Sequence, residues 1–476
     1  MDRKEEGLFK KAGTGIANFF KWIGTDIKEI GVTFAEGDWK TRVSYLIMGF
    51  GSIMRKSFAR GIGFLVIEIA FIYYLVSFGW DYMKDIGTLG TIGEHKEEVL
   101  TKAGPMKVTV YGDNSFLILL YGLLTIIFIV FFIFVWRLNV RENRKEELLL
   151  KEGKKIPTTK EDLSSLLDAN IDKTLLALPV LGIFVFTVLP IIFMICVAFT
   201  NYDYNHQAPA KLFTWVGFDN FSQLFSFGSN GFGGTFFKVL GWTLVWAFFA
   251  TFLNYFIGMA VAILINKKGI KLKKLWRTIL VMTIAIPQFV SLLYVSKMFA
   301  NDGLINSYLM KWGWISSTIP FWTNPTLARI TIIVINLWIG IPYMMLIATG
   351  LLMNIPADLY ESARIDGANA FQMFFKITLP YMLFVTGPFL LTQFTGNLNN
   401  FNVIYLLSGG GPKSMKLSGS AGSTDLLVTW LYKMTVTDTN YRMAAVIGIM
   451  VFAVTAIVSL GVYNLLPSVK DEEGFQ

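Results

Sequence analysis

Eight runs of apolar residues, near 61–80, 115–136, 174–200, 236–265, 275–300, 329–352, 379–395 and 443–466, set the limits of this fold. Each approaches or exceeds the roughly 20 residues that carry a helix across about 30 Å of hydrocarbon. In that medium every backbone N–H and C=O must pair within the segment or a closed barrel, and runs of this length satisfy the requirement as helices. The chain is 54% hydrophobic and only 16% charged over 476 residues, more apolar surface than a soluble core hides. The expectation is an all-α polytopic membrane protein with eight transmembrane helices. No cleavable leader is visible, so the first run is expected to stay as an anchor. Cys196 has no partner for a disulfide, and the two histidines, His95 and His206, fall in different loops, which argues against a histidine metal site.

A net charge of +9 raises the question of nucleic acid, and the distribution of the charge answers it. With eight spans, 29 of the 42 Lys and Arg residues fall on the side that holds the N-terminus and 12 on the opposite side, counting Lys238 and Arg329 at the outer ends of their spans. By the positive-inside rule both termini are cytoplasmic, and the basic charge is topological information with no nucleic-acid partner implied. The expected outer loops, 81–114, 201–235, 301–328 and 396–442, are too short for a substantial separate domain.

The expected organisation has five parts. Residues 1–60 form a cytoplasmic or interfacial segment in which Trp22, Ile23 and Ile27 alternate with Lys21, Lys28 and Glu29; a membrane-surface helix and a loosely structured arm are both open. Residues 61–136 hold a peripheral pair of spans, with Glu68 in the first, and 137–173 form a charged cytoplasmic linker. The functional core is 174–466, and 467–476 is a cytoplasmic tail. Pro179, Pro190, Pro287, Pro342 and Pro388 interrupt core spans, where proline kinks a helix and frees carbonyls, whether for packing or to shape a cavity.

Within the core, residues 357–380 stand out as a polar, helix-prone island between two apolar runs. It reads as two short helices with Gly367 between them, and its mixture of Leu359 and Ala363 with Glu361, Arg364 and Asp366 suits insertion into a groove on another protein. Pro380 is placed where the second helix gives way to the next span. At the end of span seven Thr392, Gln393, Thr395, Asn397, Asn399 and Asn400 crowd together, and Gln393, Asn397 and Asn400 recur at four and three residues, the spacing of one helical face. Neutral amides fit an uncharged polyol better than an ion, although interhelical hydrogen bonds would use the same groups.

The spacing Glu361-Ser362-Ala363, Gly367, and Ile377-Thr378-Leu379-Pro380 resembles the cytoplasmic EAA loop of ATP-binding-cassette importer permeases, with Ser362 in place of an alanine. Asn336-Leu-Trp-Ile-Gly-Ile-Pro-Tyr-Met-Met345, Ile355-Pro-Ala-Asp-Leu-Tyr-Glu361, Asn397-Leu-Asn-Asn-Phe401 and Gly409-Gly-Gly-Pro412 extend the resemblance to MalF-type subunits of maltose and maltodextrin importers, from about residue 170 to the end. That resemblance implies a type I importer permease core. It implies coupling to an ATPase through Glu361, Ser362, Ala363, Asp366 and Gly367, and sugar contact at Ile339, Gly340, Tyr343, Gln393, Asn397 and Asn400. Gln393 departs from the small hydroxyl residue expected there.

The same resemblance implies a second, MalG-like permease, a dimeric MalK- or MsmX-like ATPase that binds the ATP and Mg, and an extracellular lipid-anchored sugar-binding protein. The modest loop at 201–235, where members from two-membrane bacteria carry a large domain, points to a single-membrane bacterium. No cofactor is expected in this chain and no catalytic constellation is visible: Gly409 to Ser414 is not a phosphate loop, because Pro412 precedes Lys413 and the glycine spacing fails. A permease for another neutral oligosaccharide is the first alternative. An ion-coupled carrier is the second, which would need coupling carboxylates in the core spans.

Overall fold

The computed structural model describes residues 8–101, 104–228, 231–267 and 269–465; the expected tail at 467–476 lies outside them. Among the described residues seven helices are long and apolar enough to cross a membrane: Phe58–Met83, Ser115–Lys151, Ile171–Ala198, Gly233–Asn266, Pro325–Leu352, Ala370–Leu398 and Tyr441–Asn464. The eighth expected span is a bent pair, Lys273–Ala285 and Gln288–Met298, whose axes meet at 92°. The break falls at Pro287, which has no N–H for the ladder and pushes Ile286 out of the helical region to ψ 130°.

The chain forms two compact units, one of residues 1–194 with 206–215 and the other of 195–205 with 216–476. In the first, α1 (Leu8–Glu36), α2 (Trp39–Val43) and α3 (Phe50–Met54) precede α4 (Phe58–Met83). A hairpin follows, β1 (His95–Thr101) and β2 (Gly104–Val110), antiparallel with His95 opposite Val110. It is the one departure from the all-α expectation among the described residues, in a loop where Val108, Thr109 and Val110 supply β-branched residues. Next come α5 (Ser115–Lys151), α6 (Thr159–Leu167) and α7 (Ile171–Ala198), the last running on past the division at Met194.

The boundary expected at 136/137 falls inside α5, because Arg137, Arg141 and Arg144 are held against α1. Arg137 and Arg141 pair with Asp26, Arg141 also with Glu29 at 2.8 Å, and Arg144 with Glu36 at 2.9 Å. Glu68, the acid in the first span, accepts the Met48 backbone N–H at 2.8 Å and so caps a local turn.

In the second unit α8 (Asp219–Phe225) leads into α9 (Gly233–Asn266), followed by α10 (Lys273–Ala285), α11 (Gln288–Met298) and α12 (Leu304–Lys311). Then come α13 (Pro325–Leu352), α14 (Ala357–Ile365), α15 (Ala370–Leu398), α16 (Phe401–Ser408), α17 (Leu427–Val436) and α18 (Tyr441–Leu465). The centre is α9 against α13. Trp242, Trp246 and Ala250 meet Ile332 and Ile335, and one end is closed by Val403, Ile404 and Leu407 of α16. Toward the other end Tyr255, Met259 and Ala262 pack on Met345, Ala348 and Met382. These all-apolar contacts fix where the polar residues of α9, α13 and α15 meet.

Candidate functional site

The island between α13 and α15 is a helix, a sharp turn and a second helix, as its sequence pattern predicts. Gly367 lies at φ +79°, just past the end of α14. The turn is closed by Ala368 N–H to Ala363 O at 2.8 Å and Gly367 N–H to Arg364 O at 3.1 Å, the bonding of a left-handed helix stop. Asn369 then starts the next helix: its side chain accepts the Gln372 N–H at 2.9 Å while its own N–H donates to the Gln372 side chain at 2.8 Å. Glu361, Ser362, Asp366 and Gly367 are exposed and Ala363 is half-buried, so the five residues divide into an outward set and one inward contact. Ile365 and Phe371 stand out at 86% and 77% exposed. A charged knob with two unburied apolar side chains has the composition of a protein-binding surface.

Two features join this knob to the spans. The Tyr360 hydroxyl and the buried Thr378 Oγ1 are hydrogen-bonded at 2.9 Å, strapping α14 to the base of α15. The island's second helix also does not end at Pro380. It runs unbroken from Ala370 to Leu398 through one wide turn of i→i+5 bonds at Phe374–Thr378. Proline at 380 has no N–H for the carbonyl of Lys376 and its ring crowds that carbonyl; widening the turn ahead of it absorbs both defects without a break. The expected helix end at Pro380 is therefore corrected to a continuous helix.

The polar residues at the far end of α15 meet α9. Asn397 Nδ2 donates to Thr251 Oγ1 at 3.0 Å, its carbonyl accepts Trp246 Nε1 at 3.1 Å, and its Oδ1 accepts Asn400 Nδ2 at 3.2 Å. The single face expected for Gln393, Asn397 and Asn400 is corrected. The helix stops at Leu398, and Asn400 opens α16 by accepting the Val403 N–H. Asn397 and Asn400 still come together, through that turn and not through a shared face. Gln393, one turn earlier on α15, is half-buried. On α13, Ile339 packs on the apolar centre, Tyr343 is exposed, and Gly340 lies where a Cβ would collide with the side-chain amide of Asn254.

Asn254 is the residue that sequence reasoning passed over. It is buried in the middle of α9, its Nδ2 donates to Ala250 O at 2.7 Å, and its Oδ1 has no hydrogen-bond partner among the described residues. A lone asparagine inside an apolar run was the available signal, since an intramembrane polar group is costly unless it is used. An apolar groove of about 740 Å³ lined by Phe252, Leu383, Phe394 and Val458 lies elsewhere in the unit; hydrocarbon walls offer nothing to sugar hydroxyls.

The segment between α15 and α18 folds back over the unit. Asp425 is buried and bonded to Lys433 Nζ at 2.7 Å, the Gly422 N–H at 2.7 Å and Thr429 Oγ1 at 2.8 Å. Burial pushes its carboxyl above the usual carboxylate range, against the opposing pull of Lys433. Arg329 Nε donates to Ser423 O at 2.9 Å with its guanidinium over the Trp242 ring, and Trp242 Nε1 donates to Thr424 O at 3.1 Å. This cap is thereby tied to α9 and α13.

Together the exposed knob and the half-buried amide cluster in one helical core define a class, a membrane-embedded transport component. A model of the binding-protein-dependent transport system inner membrane component family matches residues 254–471. The maltodextrin transport system permease protein MalC of Streptococcus pneumoniae is 34% identical over 445 residues, 91% of this chain and 97% of that one. The galactooligosaccharides transport system permease protein GanP of Bacillus subtilis is 35% identical over 434 residues, 90% and 97% of the two chains. The maltose/maltodextrin transport system permease protein MalF of Escherichia coli is 35% identical over 255 residues, 52% of this chain and 48% of that one. The chain belongs to the binding-protein-dependent transport system inner membrane component family: it is a multi-pass permease of the ATP-binding-cassette importer type. Its fold is similar to that of a chain in the crystal structure of a bacterial transporter involved in the import of the acidic polysaccharide alginate. The TM-score is 0.52 at 22% identity, over 65% of this chain and 99% of that one.

Proposed function

We propose that this permease carries malto-oligosaccharides into the cell, driven by ATP that a partner hydrolyses. The observation that carries the reading is the exposed knob at Glu361–Gly367, joined by Tyr360–Thr378 and an unbroken helix to the amide cluster at Asn397. In this account Glu361 pairs with a basic residue in the cleft of a dimeric MalK- or MsmX-like ATPase, which alone holds ATP and Mg. Ser362, Asp366 and Gly367 complete the contact surface, and Ala363 seats it. A second, MalG-like permease closes the pathway, an extracellular lipid-anchored protein delivers the sugar, and both termini are cytoplasmic. Closure of the ATPase pair moves the knob, α15 moves with it as a rod, and the pathway opens outward.

The sugar is met by Gly340, Tyr343, Gln393, Asn397 and Asn400, with Ile339 shaping the wall. The Asn254 carbonyl oxygen supports a neutral polyol, because it lacks a donor and is placed beside Gly340 where hydroxyls can supply one. A galacto-oligosaccharide is the second reading, supported by the equal similarity to GanP. The test is uptake by the reconstituted complex in vesicles. Maltodextrin uptake that requires ATP and falls with Asn400→Ala at unchanged assembly supports the proposal. Preference for galacto-oligosaccharide selects the second reading, and ATP-independent uptake abolished by an ionophore overturns both.

A further inference from the structure

We propose that α1 to α3 form a membrane-surface arm whose occupant is anionic phospholipid headgroup. The position of the arm follows from its bonds to α5. Trp136 Nε1 donates to Tyr45 O at 2.9 Å, Arg137 covers the Trp22 ring at 4.7 Å, and Asn139 exchanges hydrogen bonds with Ser44 O and the Gly49 N–H, both at 2.8 Å. These partners begin where the apolar run of α5 ends, at Trp136, and extend through Asn143 and Arg144 to Glu147, which accepts the Thr41 hydroxyl at 3.0 Å. From Trp136 to Glu147 the helix rises roughly 16 Å, so only the contacts nearest Trp136 fall in the headgroup layer outside a hydrocarbon core about 30 Å thick. The parts of the arm fixed at Trp136 to Asn139, around Trp22 and Tyr45 to Gly49, are therefore held at headgroup level, immediately before α4 enters the membrane.

Its surface is apolar and basic there. Leu46 is 83% exposed, Ile27 64% and Trp39 57%. Patches of this kind in water promote association, whereas at headgroup depth they are covered by acyl chain. Charge is segregated in the same way. Every acid of the described arm is paired with an arginine: Asp26 with Arg137 and Arg141, Glu29 with Arg141, Glu36 with Arg144, and Asp38 with Arg55 at 2.6 Å. Lys21, Lys28, Lys40 and Lys56 form no ion pair among the described residues. The unpaired charge of the described arm is thus wholly positive, which selects phosphatidylglycerol-like headgroups over zwitterionic ones.

The test uses the full chain. Native mass spectrometry of the detergent-solubilised protein, titrated with phosphatidylglycerol or phosphatidylcholine, is expected to show at least tenfold preference for the anionic lipid. Lys21→Gln/Lys28→Gln/Lys40→Gln/Lys56→Gln should reduce occupancy to the zwitterionic level, at about fivefold per lysine for charges near an anionic surface. A nitroxide on Leu46→Cys in a Cys196→Ser background, in phosphatidylglycerol nanodiscs, should be accessible to oxygen and shielded from a water-soluble nickel chelate. Undiminished preference in the quadruple variant, or none in the parent chain, overturns the proposal. So does a label open to nickel, which means water, or closed to both quenchers, which means protein covers the arm.

Discussion

Replacing Gly367 by alanine tests whether the shape of the knob transmits force. The Cβ meets nothing within 4 Å, so no clash contributes and the cost is the backbone alone. At φ +79° an L-residue is disfavoured by about 1–2 kcal/mol. The helix stop recovers part of that only by giving up the Ala368–Ala363 bond, itself worth about 1 kcal/mol. If docking requires the observed turn, the whole penalty appears as lost affinity for the ATPase, a factor of about 5 to 30. Gly350→Ala is the matched control, because it too meets no neighbour and its φ is not positive. The assay is titration of purified ATPase onto the permease pair in nanodiscs, followed by stimulated ATP turnover. Weakened binding for Gly367→Ala beside an unchanged control is the expected pattern. Equal affinity for both variants would refute the claim that this turn is part of the docking surface.

Other substitutions probe the rest of the account. Tyr360→Phe removes the strap to Thr378 for about 1 kcal/mol; ATPase binding should hold while sugar-stimulated turnover falls, and unchanged coupling would make the strap incidental. Gly340→Ala forces the Asn254 amide aside at a cost of about 1–3 kcal/mol. Transport should fall, Asn254→Ala should restore stability without restoring sugar stimulation, and independent effects in the double-mutant cycle would separate the two residues. Lys433→Met takes the counter-charge from buried Asp425, whose carboxyl is already pushed toward the protonated form by burial, at a cost of about 3 kcal/mol. The melting temperature in detergent should drop by several degrees and recover in Asp425→Asn/Lys433→Met; an unchanged value would show that the cap carries no load.

What could be read from the chain beforehand follows the range of the physics involved. Spans and the knob depend on local composition: Glu361, Asp366 and Gly367 are conspicuous between apolar runs, and the helix stop at Gly367 is a property of a few adjacent residues. Pro380 misled because its effect depends on the turn before it, and a wide turn at Phe374–Thr378 leaves no mark in composition. Asn400 misled because periodicity assumes that a helix continues, and this one ends at Leu398. Asn254 was visible but lacked a partner until Gly340, 86 positions later, was brought against it. The arm of α1 to α3 was equally illegible as a docked element, since its fixed points join Asp26, Glu29 and Glu36 to arginines more than a hundred residues away.

The central claim is that the knob at 361–367 faces the cytoplasm and is covered by an ATPase. A single cysteine at Glu361, in a Cys196→Ser background, measures both when challenged with a membrane-impermeant maleimide. Labelling in inside-out vesicles alone, suppressed when the partner ATPase is added, is the predicted result. Labelling from outside intact cells, or labelling indifferent to the ATPase, would contradict it.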